Sequence, residues 1–161
     1  MPTPPYSLWV TSMLLALMRH GKAEPKGEKP DELRSLTSEG FRDVESVAGL
    51  LPFKPSIVYS SPYRRAIQTA EVVASRYGVK VSIVEELKPG VFTVDSLRKI
   101  NVRDRALLVG HAPSIELVLS SLIGGGSVKM KASSIAIIEV EELDYSMATL
   151  IALLIPPTVR L

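Results

Sequence analysis

Six short apolar runs, separated by longer segments of helical pattern, constrain the fold of this chain more than any other feature. They are rich in β-branched or aliphatic residues, which is typical of strands buried on both faces. The runs cover residues 13–18, 57–59, 81–84, 106–109, 134–140 and 148–155. Between them, apolar side chains recur at helical spacing in 38–51, 62–77 and 113–122. Strands that alternate with helices predict an α/β fold: a mostly parallel sheet with helices on both faces, in three layers.

The two ends of the chain are expected to depart from this regular pattern. Residues 1–12 contain three prolines before a short apolar patch, so we predict an N-terminal extension over 1–12 and one domain over 13–161. The last two apolar runs are split by "EELDY" and are expected to pair as antiparallel strands at one edge of the sheet. Thr37 is expected to cap the helix that follows it.

Composition excludes several classes of function. The formal net charge is only +2, which gives no general electrostatic footprint for nucleic acid or a membrane surface. Cysteine is absent, which excludes disulfides, thiolate chemistry and cysteine-bound zinc. No run approaches the roughly 18 apolar residues that a spanning helix needs. We therefore expect a soluble cytoplasmic protein that binds neither nucleic acid nor membrane, and composition does not indicate its oligomeric state.

Chemically active residues follow three of the predicted strands. In an open parallel sheet, ligands bind beyond the carboxyl ends of the strands, so these positions indicate a site. The three segments are Arg19-His20-Gly21, Ser60-Ser61-Pro62-Tyr63-Arg64-Arg65 and Gly110-His111-Ala112-Pro113. Both histidines of the chain lie in this set.

The second segment, residues 60–65, favours an anion-binding site. Ser61 and Pro62 suit an N-cap and a first turn, which would place Arg64 and Arg65 in the opening turn of the next helix. The helix dipole disfavours cations there, and a bound phosphate would compensate because guanidinium groups fork onto its oxygens. The alternative is that both arginines are solvated or paired with carboxylates, with Glu71 or Asp43 as candidates.

Together the three segments predict an anion site rather than a metal site. Two imidazoles, at least two guanidiniums and Gly21, whose missing side chain would let the backbone approach an anion, are expected to converge. A metal site would need a distant carboxylate, because there is no cysteine and neither histidine has a carboxylate next to it. We therefore expect no metal and no cofactor.

Three segments, "LMRHGKAE", "VYSSPYRRAIQTAE" and "LLVGHAPSIELVL", resemble the signature segments of the histidine phosphatase superfamily, in the same order. The compact length, "RSLTSEG" and the GHxP form of the second histidine segment most resemble its small SixA-type phosphohistidine phosphatases. The resemblance implies the phosphoglycerate mutase-like fold and a metal-independent phosphatase.

The resemblance also implies roles for individual residues. His20 would be the nucleophile and would become a transient phosphohistidine, while Arg19, Arg65 and His111 would bind the phosphoryl oxygens. Arg65 matches the family's arginine because it directly precedes "AIQTA". Further contacts with substrate are expected from four neighbours in these segments, namely Gly21, Ser61, Arg64 and Ala112, with Arg64 directed to substrate or solvent.

One departure from the family concerns the general acid. Many members carry a glutamate two residues beyond a leucine after the third strand, but here Leu87 is followed at that distance by Pro89. Glu85 and Glu86 are candidate acids, with solvated charges at a strand end as their alternative. An alkyl phosphate ester needs the acid more than phosphohistidine does, because imidazole is a leaving group that solvent can protonate.

The missing acid favours phosphohistidine in a protein as the substrate, with the charged loop 22–36 as a rim for that partner. One alternative is a broad phosphomonoesterase for small phosphate esters, in which Glu85 or Glu86 does act as the acid. A second alternative is a non-catalytic phosphate-binding module, although binding alone would not require both histidines.

Overall fold

The computed structural model describes residues 12–160, which form a six-stranded sheet with helices on both faces. The strands are β1 (Met13–Arg19), β2 (Val58–Ser60), β3 (Val81–Ile83), β4 (Ala106–Gly110), β5 (Ile135–Val140) and β6 (Ala148–Leu154). Their order across the sheet is β3-β2-β4-β1-β5-β6. The first four are mutually parallel, whereas β5 runs antiparallel to β1 and β6 antiparallel to β5. The predicted α/β class and the antiparallel edge pair are confirmed.

Alternation along β1 shows why its sequence is continuously apolar. Leu15 and Leu17 pack into the core on one face of the sheet, and Ala16 and Met18 pack into the core on the other face. Successive side chains of a strand point to opposite faces, so a strand covered on both sides has no polar positions. The predicted three layers are therefore present.

Two helices cover each face of the sheet. The helices are α1 (Ser38–Ala48), α2 (Arg64–Tyr77), α3 (Val94–Ile100) and α4 (Ser114–Leu122), and short 3₁₀ turns cover Asp31–Leu33 and Glu85–Leu87. Apolar residues of α1 and α2 pack into one core, and those of α3 and α4 pack into the other. The predicted cap of α1 is confirmed, since the Thr37 hydroxyl accepts from the Gly40 N–H at 3.0 Å.

The start of α2 differs from the prediction. The helix begins at Arg64 with Tyr63 as N-cap, two residues later than the pattern indicates. Ser61 does not cap this helix, because its Oγ accepts from the Tyr63 N–H and contacts His111 instead. Arg64 and Arg65 still occupy the opening turn, where a bound anion would compensate for their charge.

The predicted N-terminal extension lies outside the described residues except for Ser12, and Leu161 also lies outside them. In the part of the chain from 12 to 160, no helix has both the length and the apolar character required to cross a membrane.

Candidate active site

The carboxyl ends of β1 and β4 lie side by side and bring the two histidines together. Arg19 at the end of β1 is in register with Gly110 at the end of β4, and the His20 N–H donates to the Gly110 carbonyl at 3.1 Å. The ring centroids of His20 and His111 are 5.0 Å apart. The predicted convergence of these strand ends is therefore present.

A cavity of about 480 Å³ opens over these strand ends, and we call it the strand-end cavity. Its lining includes five cationic side chains but only one carboxylate. The lining residues are Arg19, His20, Gly21, Lys22, Ala23, Lys26, Asp31, Arg34, Arg65, Pro89, His111, Ala112 and Ala132. Such a surplus of positive charge around buried imidazoles suits an anionic ligand.

His20 is held as a neutral imidazole with one unprotonated nitrogen. Its Nδ1 lies 2.7 Å from the Gly21 carbonyl, which can only accept, so Nδ1 carries the proton. Nε2 is then unprotonated, and it accepts from Arg65 Nε at 3.2 Å. Burial lowers the pKa of His20 to about 4, and the nearby charges of Arg65 and Arg19 act in the same direction. At neutral pH, His20 therefore presents a nucleophilic lone pair beside a guanidinium.

His111 is almost fully buried next to His20. Its Nε2 lies 2.8 Å from Ser61 Oγ, and its Nδ1 lies 3.5 Å from Arg65 Nη2. The Tyr63 ring packs edge-on against it, at 5.2 Å between centroids. Burial lowers the pKa of His111 to about 3, helped by the positive charge of Arg65 and by the charge that His20 would carry if it were protonated. Ser61 and Tyr63 thus fix the orientation of a second neutral imidazole.

Arg65 connects both histidines and is itself fixed by Asp31. Its guanidinium donates to the Asp31 carbonyl at 2.7 Å through Nη1, and Nη2 lies 3.3 Å from an Asp31 carboxylate oxygen. The Arg65 side chain is only 5 % exposed, and its guanidinium lies 5.1 Å from the centroid of the Tyr63 ring. Asp31 also binds Arg34, at 2.8 Å, so one carboxylate holds two guanidiniums at the edge of the cavity.

Arg19 has a donor with no protein acceptor. Its Nη1 donates to the Met130 carbonyl at 2.8 Å, but its Nε is buried without a hydrogen-bond partner. Within residues 12–160, the only other buried side-chain polar atom without a hydrogen-bond partner is Ser133 Oγ. Arg19 precedes His20 in the chain, and the Ser133 N–H donates to the His20 carbonyl, so both residues are neighbours of His20. Unpaired buried donors are costly unless a ligand pairs them, which favours an oxyanion at this position.

Four of the predicted site residues do not line the cavity, namely Ser61, Arg64, Glu85 and Glu86. Arg64 is exposed and lies in a different groove, with Gln68 and Glu71. Ser61 is fully buried and contacts His111 rather than the cavity. Glu85 is exposed and pairs with Lys88 at 2.7 Å.

The cavity lining shows which residue occupies the position expected for a general acid. Glu86 belongs to the same 3₁₀ turn as Glu85 and, like it, does not line the cavity. Pro89 does line it. The position at which the family's acid is expected is therefore directed at the site but carries no proton donor.

Gly21 and Ala112 line the cavity as predicted, but the absence of a side chain at Gly21 has another reason. A Cβ at Gly21 would lie 2.8 Å from a Val44 methyl group, so the glycine lets α1 pack closely against the chain. The Gly21 N–H donates to Thr69 Oγ1 at 3.0 Å and is not available to an anion. Thr69 in turn donates to the Arg65 carbonyl, which ties the His20 loop to α2.

Four residues of the site were not predicted from the sequence: Asp31, Arg34, Tyr63 and Thr69. Asp31 and Arg34 belong to a charged loop with no periodic pattern, although Arg34 begins the "RSLTSEG" segment. Among the described residues, no three His, Cys, Asp or Glu side chains are grouped as metal ligands would be.

Comparisons with known proteins point to a family of phosphatases. The family model "Histidine phosphatase superfamily (branch 1)" matches residues 15–89, which include Arg19, His20 and Arg65. Over this segment the chain is similar to the histidine phosphatase superfamily, and its fold agrees with that similarity. No curated protein sequence matches the chain at a significant level.

Among solved structures, SixA phosphatases are very similar to this chain. A protein histidine phosphatase SixA complexed with tungstate is 25 % identical, with a TM-score of 0.76 over 89 % of this chain and 97 % of its own. A SixA assigned as a phosphohistidine phosphatase, from Agrobacterium tumefaciens, is 23 % identical, with a TM-score of 0.74 over 89 % and 99 %. A mycobacterial glucosyl-3-phosphoglycerate phosphatase shares the fold at 15 % identity, with a TM-score of 0.68 over 87 % and 97 %. These similarities support a phosphatase.

Proposed function

We propose that this phosphatase removes the phosphoryl group from phosphohistidine in a protein, with His20 as the nucleophile. One observation carries the proposal: a neutral His20 faces a cationic cavity in which Pro89 occupies the position expected for an acid. Residues 13–161 would form the catalytic domain. Four groups would do the chemistry, His20 as nucleophile and Arg19, Arg65 and His111 as ligands of the phosphoryl oxygens.

In the first step, His20 Nε2 attacks phosphorus opposite the leaving nitrogen. A bond from Nε2 to phosphorus forms, the phosphorus–nitrogen bond of the substrate breaks, and the freed imidazole takes a proton from solvent. The transferred group spreads negative charge over three oxygens, so fixed guanidiniums supply much of the catalysis. Arg65 Nε already points at the attacking atom, and Arg19 Nε has no competing protein acceptor.

In the second step, water attacks the phosphorus of phosphorylated His20. The phosphorus–nitrogen bond to His20 breaks, inorganic phosphate leaves, and the neutral imidazole is restored. The hydrogen bond from His20 Nδ1 to the Gly21 carbonyl holds the ring in one orientation through both steps.

Asp31 does not replace the missing acid. Burial alone would raise the pKa of Asp31. Hydrogen bonds and charge from Arg34 and Arg65 outweigh burial and lower this pKa, so Asp31 carries no proton near neutral pH. A substrate whose leaving group needs no protein acid is then favoured, and imidazole is such a leaving group. An alkoxide leaving group would lose about a hundredfold in rate without the acid.

Hydrolysis of a small phosphate ester is the second candidate function. Lys22 and Lys26 also line the cavity, in addition to the proposed ligands of the phosphoryl oxygens, and could bind another anionic group of a small substrate. The fold shared with a glucosyl-3-phosphoglycerate phosphatase is compatible with this candidate.

The test offers the chelator-treated protein a phosphohistidine peptide and an alkyl phosphate ester at several pH values. We expect turnover of the peptide without added metal, and kcat/KM on the ester lower by about a hundredfold or more. Ester turnover that is faster than peptide turnover and falls at high pH would favour the second candidate. Binding of phosphate without turnover of either substrate would favour the non-catalytic module.

A further inference from the structure

An apolar surface lies beside the strand-end cavity. Val91, Leu117 and Tyr145 are large apolar side chains that are 50 %, 65 % and 64 % exposed. Two grooves, of about 330 Å³ and 280 Å³, meet at Leu117 and Pro113, and Tyr145 lines the larger groove. We call the surface formed by Val91, Pro113, Leu117 and Tyr145 the Leu117 patch.

The Leu117 patch continues directly from the cavity along two chain segments. Pro89 lines the cavity, and the next residue, Gly90, lines the larger groove. Ala112 lines the cavity, and the next residue, Pro113, lines both grooves. The cavity and the patch therefore adjoin, so that a ligand with its phosphoryl group at His20 can extend onto this patch.

The cavity and the patch have opposite chemistry. The larger groove has no charged residue in its lining, and the smaller one has Glu116 and Lys129. The Glu116 carboxylate is already engaged, since it accepts from the Met130 N–H at 2.7 Å. The cavity, in contrast, has five cationic side chains and no large apolar side chain in its lining. A ligand that fits both regions has an anionic tip and apolar groups next to it.

We propose that the Leu117 patch binds apolar side chains that flank the phosphohistidine of the substrate protein. This inference rests on the proposed function and names the part of the substrate that the cavity does not recognise. The cavity binds the phosphoryl group of any substrate, and the Leu117 patch selects the polypeptide that carries it. Burying one large apolar side chain in such a groove is expected to change binding about tenfold or more.

The test uses three phosphoryl donors: two phosphohistidine peptides, one with leucines and one with serines beside the phosphohistidine, and the small ion phosphoramidate. For the wild-type protein, we expect kcat/KM on the leucine peptide to exceed that on the serine peptide about tenfold or more. Leu117→Asp is expected to abolish this preference and to leave phosphoramidate turnover within about twofold of wild type. Leu117→Ser is a milder variant that should reduce the preference in the same direction.

Leu50→Asp is the matched control. Leu50 is 52 % exposed and follows the end of α1, and the start of this helix lies beside Lys22 of the cavity. Eleven residues of helix place Leu50 about 16 Å away from that start. This variant is expected to retain the full preference for the leucine peptide.

Three outcomes would overturn the inference. Equal turnover of both peptides by the wild-type protein, with phosphoramidate also hydrolysed, would overturn the docking surface but leave the proposed function standing. A concentration-dependent dimer that Leu117→Asp dissociates, without any change in peptide preference, would assign the patch to a second copy of the chain. Failure to hydrolyse any of the three donors would overturn the proposed function and the inference with it.

Discussion

The floor of the strand-end cavity is made by residues that are buried and held by several hydrogen bonds, whereas its rim is made by a charged, more exposed loop. On the floor, Arg65 and His111 are less than 5 % exposed and contact each other. On the rim, Lys26 is exposed, and Lys22 pairs with Glu39 at the surface. A buried floor held by hydrogen bonds suits the phosphoryl group, which is the same in every substrate, and an exposed, charged rim suits the part of the substrate that varies. Substitutions should therefore affect all substrates when they fall on the floor and affect selected substrates when they fall on the rim.

The largest effect is expected at Arg65. Arg65→Ala removes the guanidinium beside His20 Nε2, and we expect kcat to fall by about 10²–10³-fold on every substrate. Arg64→Ala is the matched control, because Arg64 is the preceding residue, is exposed and lies outside the cavity. Steady-state rates of the two variants check this. Equal losses in both would remove the distinction between the two arginines.

A gain of function is expected at Pro89, which lines the cavity outside the charged loop. Pro89→Glu places a carboxyl group where the lining has no proton donor, and we expect turnover of an alkyl phosphate ester to rise by up to about a hundredfold. Turnover of phosphoramidate and of p-nitrophenyl phosphate should change little, because their leaving groups need no acid. Pro89→Gln controls for loss of the proline. If all three substrates responded alike, the acid would not be the missing group.

The floor histidines should make stability depend on pH. In the folded protein the pKa values of His20 and His111 are about 4 and about 3, below the ordinary value of 6.5. Between pH 6.5 and 5 the unfolded chain takes up protons that the native state does not, so the free energy of unfolding falls as the pH falls. We expect a loss of about 1–2 kcal/mol per histidine over this range, and no contribution from either group above it.

Urea unfolding at pH 7.5, 6.5, 5.8 and 5 measures this dependence. The variants His20→Asn and His111→Asn should each lose part of the slope between pH 6.5 and 5. A wild-type stability that stays constant across this interval would mean that the two imidazoles take up protons in the folded protein as readily as in the unfolded chain.

The smallest effect is expected at Ser61, which acts through His111. Ser61→Ala removes the hydroxyl 2.8 Å from His111 Nε2, and we expect kcat to fall about 5–10-fold with little change in KM. Ser61→Thr should restore the rate, since it keeps the hydroxyl. Ser60→Ala is the control, because the Ser60 hydroxyl is equally buried but donates to the Ser61 carbonyl. A purely structural role for Ser61 would instead lower the unfolding free energy without changing kcat.

The sequence predicted the floor better than the rim, and the reason is physical. The floor residues directly follow apolar strands, and the strand pattern together with the rule for parallel sheets places their ends at one edge. Asp31 binds Arg65 from 34 positions away, within a charged loop that has no periodic pattern to indicate its position. Only the resemblance separated Arg65 from Arg64, because both occupy the same helical turn.

Two local features were not predicted from the sequence, for related reasons. Helix α3 has seven residues and depends on a capping box between Thr93 and Ser96, too short a segment for a periodic pattern. The packing role of Gly21 depends on Val44 of α1, a contact between helix and loop that no local pattern encodes.

Trapping the covalent intermediate tests the central claim most directly. The protein would be mixed with a ³²P-labelled phosphohistidine peptide and quenched within milliseconds under alkaline conditions, which preserve a phosphorus–nitrogen bond. We expect label on the tryptic peptide that contains His20, loss of this label in acid, and no labelling of the His20→Ala variant. Label on a different residue, or unchanged turnover by His20→Ala, would contradict the assignment of His20 as the nucleophile.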